Sequence, residues 1–375
     1  MDSLTQIALG AAVSVAVMGR RTAIWKAAAW GAIAGTLPDL DVVIDHGDAV
    51  LNMVRHRAES HSLFYLTLFA PLLAWVVSGV HGETNLFKRW WLALWLVLIT
   101  HPLLDNMTVY GTQLLMPFTN HPFAVGSVFI IDPAYTLPLI MGVIAALRLT
   151  NDRGLRWNMA MLTLSTAYLG WSVMAQQHVD RIARASLASE GIDAQGLLVT
   201  PAPFNTVLWR LVATTPEQYF EGYYSLFDNH PSVRWTAYPR GAELIEHHST
   251  VEAVAQIAAF SQGFFKLQAN REGRLLLTDL RMGQEPAYVF SFDLGHAEAL
   301  STQLPRQVSA RPDLAQALPW LWRRVRGIDA LQPSGCALDR QPRSTLSTRC
   351  GTMRSHGPLA NPISQVRAVD AAMEE

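Results

Sequence analysis

SLFYLTLFAPLLAWVVSGV, residues 62–80, runs nineteen positions without a charged side chain. A membrane-crossing helix needs about 20 mostly apolar residues, with ~17 as the lower limit, so the stretch reads as a span. Outward from it, Trp90–Leu104, Ala134–Leu147 and Trp157–Ala175 repeat the pattern. Upstream, Leu4–Met18 and Ile24–Leu37 are shorter and rich in Gly and Ala, with a break at Gly19, Arg20 and Arg21. Small residues let helix backbones approach closely, so this first pair reads as a packed helical hairpin. Trp90 and Trp91 beside Lys88 and Arg89 have the composition of an interfacial anchor. Asp2 precedes the first apolar run and the arginines follow it, which argues against a cleaved signal peptide.

Composition supports a two-part chain. Only 16% of the 375 residues are charged, against roughly 25% in an ordinary soluble domain. Residues 1–176 hold 20 of the 59 charged side chains. The expected fold is therefore an α-helical multi-pass membrane domain of about six helices over 1–176, followed by an α+β soluble domain with antiparallel strands over 177–332. Residues 333–375 are polar and rich in Pro, Ser and Arg, the composition of a disordered tail. A net charge of −1 leaves no basic excess for nucleic acid. Cys336 and Cys350 have neither zinc-ligand spacing nor a CxxC motif; they pair in an oxidising compartment or remain idle thiols.

With six crossings, Arg20, Arg21, Lys26, Lys88, Arg89, Arg148, Arg153 and Arg156 fall on one side, and only Arg55 and Arg57 on the other. The positive-inside bias puts the first side in the cytoplasm. The loops Pro38–His61 and Asp105–Pro133, and everything after Gln176, then face outward, in a bacterium the periplasm.

Ionisable residues gather at the outward ends of these segments. In TLPDLD, Pro38 limits helix continuation, and Asp39 and Asp41 would point the same way on an extended strand. A solvated turn is the competing reading. In RHRAESHS, His56 and Ser60, like Arg57 and His61, share a face if the stretch is helical; alone it also reads as a polar helix start, its arginines as headgroup contacts or anion binders. His101 and Asp105 are four apart, a geometry that suits a shared metal or a structural hydrogen bond, with Pro102 marking a possible new turn. Asp39, Asp41, His56, His61, His101 and Asp105 together form a nitrogen-and-oxygen ligand set that suits Zn²⁺ or Mn²⁺. His121 and Asp132 are further candidates with ordinary loop or turn readings.

MDSLTQIALGAA, GTLPDLD, HRAESHS, THPLLDNMTVYGTQLLMPF and IIDPAYTLPL resemble the bacterial inner-membrane, metal-dependent hydrolase family of the YdjM type, over roughly residues 1–180. LLVTPAPFNTVLWR, EGYYSLFD, YPRG and LLLTDLRMGQEPAYVF resemble the extra domain of its longer members. The resemblance implies hydrolase activity and a distant similarity to zinc-dependent phospholipase C and related zinc nucleases. It matches His101 and Asp105 to their His-x-x-x-Asp pair, and Asp39 or Asp41 and His56 or His61 to their earlier ligands. Many shorter members carry a histidine where this chain has Gln6.

In the second half, HVDRIARA from His178 to about Glu190 reads as an amphipathic helix. GLLVT, YYSLF, VRWTAY, FKLQAN, RLLLTDL and AYVFSFDL read as short strands between turn signals. Glu243–Phe260 and Leu294–Val325 read as helical, the latter interrupted at Pro305. His247 and His248 are adjacent, so they share no helix face and read as an exposed pair.

The leading expectation is a membrane-bound hydrolase that uses a metal-activated water. Asp39, Asp41, His61, His101 and Asp105 are its ligands, and His56 and Asp41 its catalytic pair. The bilayer is its principal partner and a lipid or another phosphate or acyl ester its substrate. A non-catalytic scaffold displaying the soluble domain is the alternative. A transporter is disfavoured, since transport sites sit near the midplane and the candidates here lie at one face.

Overall fold

The first two helices are in backbone contact. In the computed structural model, which describes residues 1–297, 304–308 and 313–328, α1 (Ser3–Met18) is capped by Asp2 and α2 spans Ile24–Thr36. A Cβ on Gly10 would lie 2.2 Å from the Gly31 carbonyl oxygen, and one on Gly35 would lie 2.6 Å from that of Gln6. Only glycine permits this crossing, and it sets the Gly35 carbonyl against the helix that carries His101.

A 3-10 turn (Pro38–Val43), α3 (Ala49–Arg55) and a second 3-10 turn (Glu59–His61) lead into α4 (Leu63–Val80). Helices α5 (Phe87–Asn106), α6 (Pro133–Leu149) and α7 (Asp152–Ser189) complete this region. Trp90, Leu94 and Leu98 of α5 are fully buried against α1 and its neighbours. Leu68, Leu72 and Trp75 of α4, Met141 of α6 and Trp171 and Met174 of α7 point outward and are exposed. Among the described residues, α4 alone is long and apolar enough to cross a membrane by length and composition, with α1 and α6 apolar but shorter. The sixth apolar segment and the amphipathic stretch after it form one 38-residue helix, α7, with no break between them.

The second half is built from antiparallel strands, as its alternation implied. β1 (Gly196–Pro201), β2 (Leu208–Thr214), β3 (Gln218–Ser225) and β4 (Thr236–Pro239) form one sheet in that order. The other contains β5 (Phe265–Ala269), β6 (Arg274–Asp279), β9 (Ser291–His296) and β10 (Arg306–Gln307), ordered β10-β9-β6-β5. Between β6 and β9 a short hairpin pairs β7 (Gly283–Gln284) with β8 (Ala287–Tyr288). The helix expected over Glu243–Phe260 is two, α8 (Ala242–His247) and α9 (Glu252–Phe260), separated by the turn at Ser249 and Thr250. Leu294 and its neighbours are strand, not helix: pairing with β6 outweighs helical propensity there, and among the described residues of this stretch the α-helix is α10 (Leu314–Val325). Cys336, Cys350 and the tail expected over 333–375 lie outside the described residues.

The two halves share a core. Val50 and Met53 of α3, together with Tyr110, pack among Ile257, Phe260, Leu277 and Phe292. The Tyr110 ring meets Phe260 and Phe290 edge-on at 5.6 Å each, and its carbonyl accepts from Arg281 Nη1 at 2.9 Å. The sheet region is thereby seated directly behind the outer loops of the helical region.

Candidate metal centre

Four side chains from three separate elements converge. Asp39 comes from the 3-10 turn after α2, His61 from the turn before α4, and His101 and Asp105 from successive turns of α5. Pro102 does not interrupt α5, which continues to Asn106. The i, i+4 spacing of His101 and Asp105 therefore holds and puts both on one face. His61 Nε2 lies 3.2 Å from His101 Nε2, 3.1 Å from Asp105 Oδ2 and 3.4 Å from Asp39 Oδ1. His101 Nε2 lies 3.4 Å from both Asp39 Oδ1 and Asp105 Oδ2.

The hydrogen bonds behind the rings decide what faces inward. His101 Nδ1 donates to the Gly35 carbonyl at 2.7 Å, leaving a lone pair on Nε2. Ser60 Oγ gives its single proton to Asp41 Oδ2 at 2.6 Å, so it accepts from His61 Nδ1 at 2.9 Å. His61 Nε2 is then also a lone pair. Asp105 Oδ2 is buried and has no hydrogen-bond partner among the described residues. With both rings neutral, two imidazole lone pairs and two carboxylate oxygens face one another, a donor set that a cation at its centre would complete. A four-coordinate ion with bonds of roughly 2.0–2.1 Å places its ligand atoms about 3.3–3.4 Å apart; the five separations that involve an imidazole run from 3.1 to 3.4 Å, and all four atoms lie within 4.8 Å of one another. Nitrogen and oxygen donors without sulfur fit Zn²⁺ or Mn²⁺.

Asp41, expected as a ligand, stands one layer behind. The stretch is a 3-10 turn rather than a strand, and at three residues per turn positions two apart point in different directions. Asp39 therefore faces the centre, while Asp41 accepts from His56 Nδ1 at 2.9 Å, Ser60 Oγ and the Arg57 amide at 3.0 Å. Nor is RHRAESHS one helix: His56 is extended and Arg57 sits at φ 65°. His56 and Ser60 share Asp41 instead of a helix face. Burial alone would raise the Asp41 carboxyl, but hydrogen bonds from His56 and Ser60 outweigh it and pull it down to about 2.

The other oxygen of Asp105 is gripped from behind by Gln6 Nε2 at 3.2 Å, by Arg57 Nη2 at 3.4 Å and by the Met1 amino group. Gln6 also donates to the His101 carbonyl. Arg57 is buried, donates to Thr108 Oγ1 and lies over the Tyr110 ring. From sequence, Gln6 stood out only as occupying the place of a histidine in shorter family members, and Arg57 read as a headgroup contact or anion binder. A polar residue on the glycine-rich face of the first helix was the available signal for Gln6. His121 is exposed against Phe123, and Asp132 caps α6 while accepting from the Tyr168 hydroxyl; neither joins the four. His247 and His248 contact each other edge-on, away from this cluster.

Comparison with known proteins agrees with the resemblance read from the motifs. Residues 1–179 match the family model described as YdjM inner membrane protein. The chain is also 23% identical over 228 residues to "Uncharacterized protein YfhP" of Bacillus subtilis (strain 168), covering 59% of this chain and 68% of that protein. No solved structure matches it.

Proposed function

We propose that this chain is a multi-pass inner-membrane hydrolase whose Asp39, His61, His101 and Asp105 hold a divalent ion, zinc or manganese. The observation that carries the reading is the convergence of two imidazole nitrogens and two carboxylate oxygens within 4.8 Å of one another, three of the four residues being buried. An ion bound there lowers the pKa of a coordinated water and polarises an ester oxygen. Gly35 and the Ser60–Asp41 pair fix the two imidazoles with Nε2 inward. Gln6 and Arg57 hold Asp105 so that Oδ2 faces the centre. His56 is the proton-transfer group: its Nδ1 is tied to Asp41, and its ring lies 6.1 Å from that of His61. Six crossings, an outward-facing centre and a periplasmic sheet region belong to this proposal. The lysine and arginine asymmetry and the outward apolar faces of α4, α6 and α7 support them. The cluster sits at helix ends, which disfavours a transport path.

Metal analysis of the detergent-purified chain tests this. The expected result is about one zinc or manganese per chain, lost in His101→Ala together with ester hydrolysis. Wild-type protein that binds neither metal in stoichiometric amount would leave only an anchored scaffold.

A further inference from the structure

The four-residue centre is sealed on most sides. The His61, His101 and Asp105 side chains are fully buried, whereas Asp39 is 22% exposed. Access therefore runs past the Pro38–Val43 turn that carries Asp39. That turn is unusual in what it shows to the outside. Leu40, Val42, Val43 and Ile44 are all exposed, Val42 at 72% and Val43 at 80%, although each is strongly apolar. Exposed apolar groups concentrated in one short segment mark a surface that meets another apolar phase.

The neighbouring residues identify that phase. Exposed apolar side chains continue from the turn onto Ile33 of α2, and Phe64 and Leu68 mark the adjoining start of α4, the helix long enough to span a bilayer. Immediately after Ile44 the chain turns polar at Asp45, His46 and Asp48, with Asp45 accepting from the Gly47 amide and Asn52. An apolar tip with a polar border has the composition of a segment immersed at the boundary between headgroups and acyl chains. Deepening the hydrolase reading, on which its second half rests, we propose that Leu40–Ile44 is a bilayer-inserted lip and that the substrate is an amphiphilic ester. Such a molecule reaches the centre sideways from the membrane, its head at Asp39 and its chains against the lip.

Two measurements on the full chain separate the lip from the chemistry. In the first, Val43→Cys is spin-labelled in a Cys336→Ser, Cys350→Ser background and reconstituted into phosphatidylglycerol–phosphatidylcholine bilayers. The expected label is several-fold more accessible to dissolved oxygen than to a water-soluble nickel chelate. Preferential collision with the chelate, or protection from both by a second copy of the chain, overturns the lip whether or not any ester is hydrolysed. In the second, Val42→Ser/Val43→Ser is compared with wild type on phospholipid in mixed micelles and on a water-soluble p-nitrophenyl phosphodiester. A loss of tenfold or more on the lipid, with metal content unchanged and soluble-ester turnover within twofold, is the expected split. An equal loss on both, or none on the lipid, overturns the lateral route. Wild type that carries metal yet turns over neither ester refutes the hydrolase reading and the amphiphilic-substrate assignment with it, while the spin-label result still judges the lip.

Discussion

The helical region and the sheet region both bury carboxylates, and they treat them in opposite ways. In the sheet region each of the principal buried acids meets a cation. Glu221 pairs with Arg210 and also accepts from the Tyr288 hydroxyl. Asp279 takes two donors from Arg281, and Glu285 pairs with Lys266. At the outer end of the helical region, acids and imidazoles turn bare oxygens and nitrogens toward one another, and the cationic groups nearby grip only the far oxygen of Asp105. The first arrangement is electrostatically complete and ties β2 to β3 and each four-stranded sheet to the β7–β8 hairpin. The second offers a cation a ready donor set, and the proposed metal site rests on that difference.

The largest effect that would test this contrast lies in the sheets. Glu221→Ala leaves Arg210 buried without its partner, and should cost about 3–5 kcal/mol of stability, measured by thermal or denaturant unfolding. Added zinc should recover none of it. If zinc did restore the variant, the two regions would not be independent. The next effect is in the centre: zinc at 100 times its Kd should stabilise wild type by about 2.7 kcal/mol and leave His101→Ala unmoved, read as a shift in Tm. Asp41→Asn sharpens the comparison further. It keeps all four ligands but frees Ser60 and the His61 ring behind them, so metal affinity or activity should fall by about 10–100-fold while unfolding changes little.

The smallest effect separates position from charge within the helical region itself. Far from the centre, Glu83 accepts from Lys26 Nζ and Thr22 Oγ1 at 2.8 Å each and from Trp90 Nε1 at 3.0 Å. Burial would raise its pKa, but these donors outweigh it and hold the carboxyl below its usual range. A carboxylate whose pKa is depressed on folding stabilises above its unfolded pKa and loses that contribution as pH falls through the folded value. Glu83→Gln should therefore cost about 0.5 kcal/mol near neutrality, after solvent screening, and the difference should vanish in acid. A gap that widened on acidification would contradict the assigned pairing.

How far the sequence revealed these features depended on how local they are. The spacing of His101 and Asp105 is a property of one helix, so it was legible and survived Pro102. Most strands of the second half were legible from alternation and turn residues, but β2 was not, because a strand buried at every position shows no alternation. The roles of Asp39 and Asp41 were not separable, because they depend on whether six residues form a strand or a 3-10 turn, a choice made by packing. Arg210 and Glu221 fall in the strings LLVTPAPFNTVLWR and EGYYSLFD, but their pairing needs the β2–β3 register, in which Arg210 stands opposite Tyr223 and Glu221 is its diagonal neighbour.

The sequence by itself determined the division into an apolar helical half and a strand-rich half, and the end of the helices at which the acids and histidines gather. Both follow from hydropathy and short-range periodicity. Tertiary structure alone decided which atoms meet. The glycine crossing of α1 and α2 brings the Gly35 carbonyl to His101, and the left-handed turn at Arg57 lets His56 and Ser60 share one carboxylate. Such contacts join residues dozens of positions apart, and only the folded backbone sets their distances.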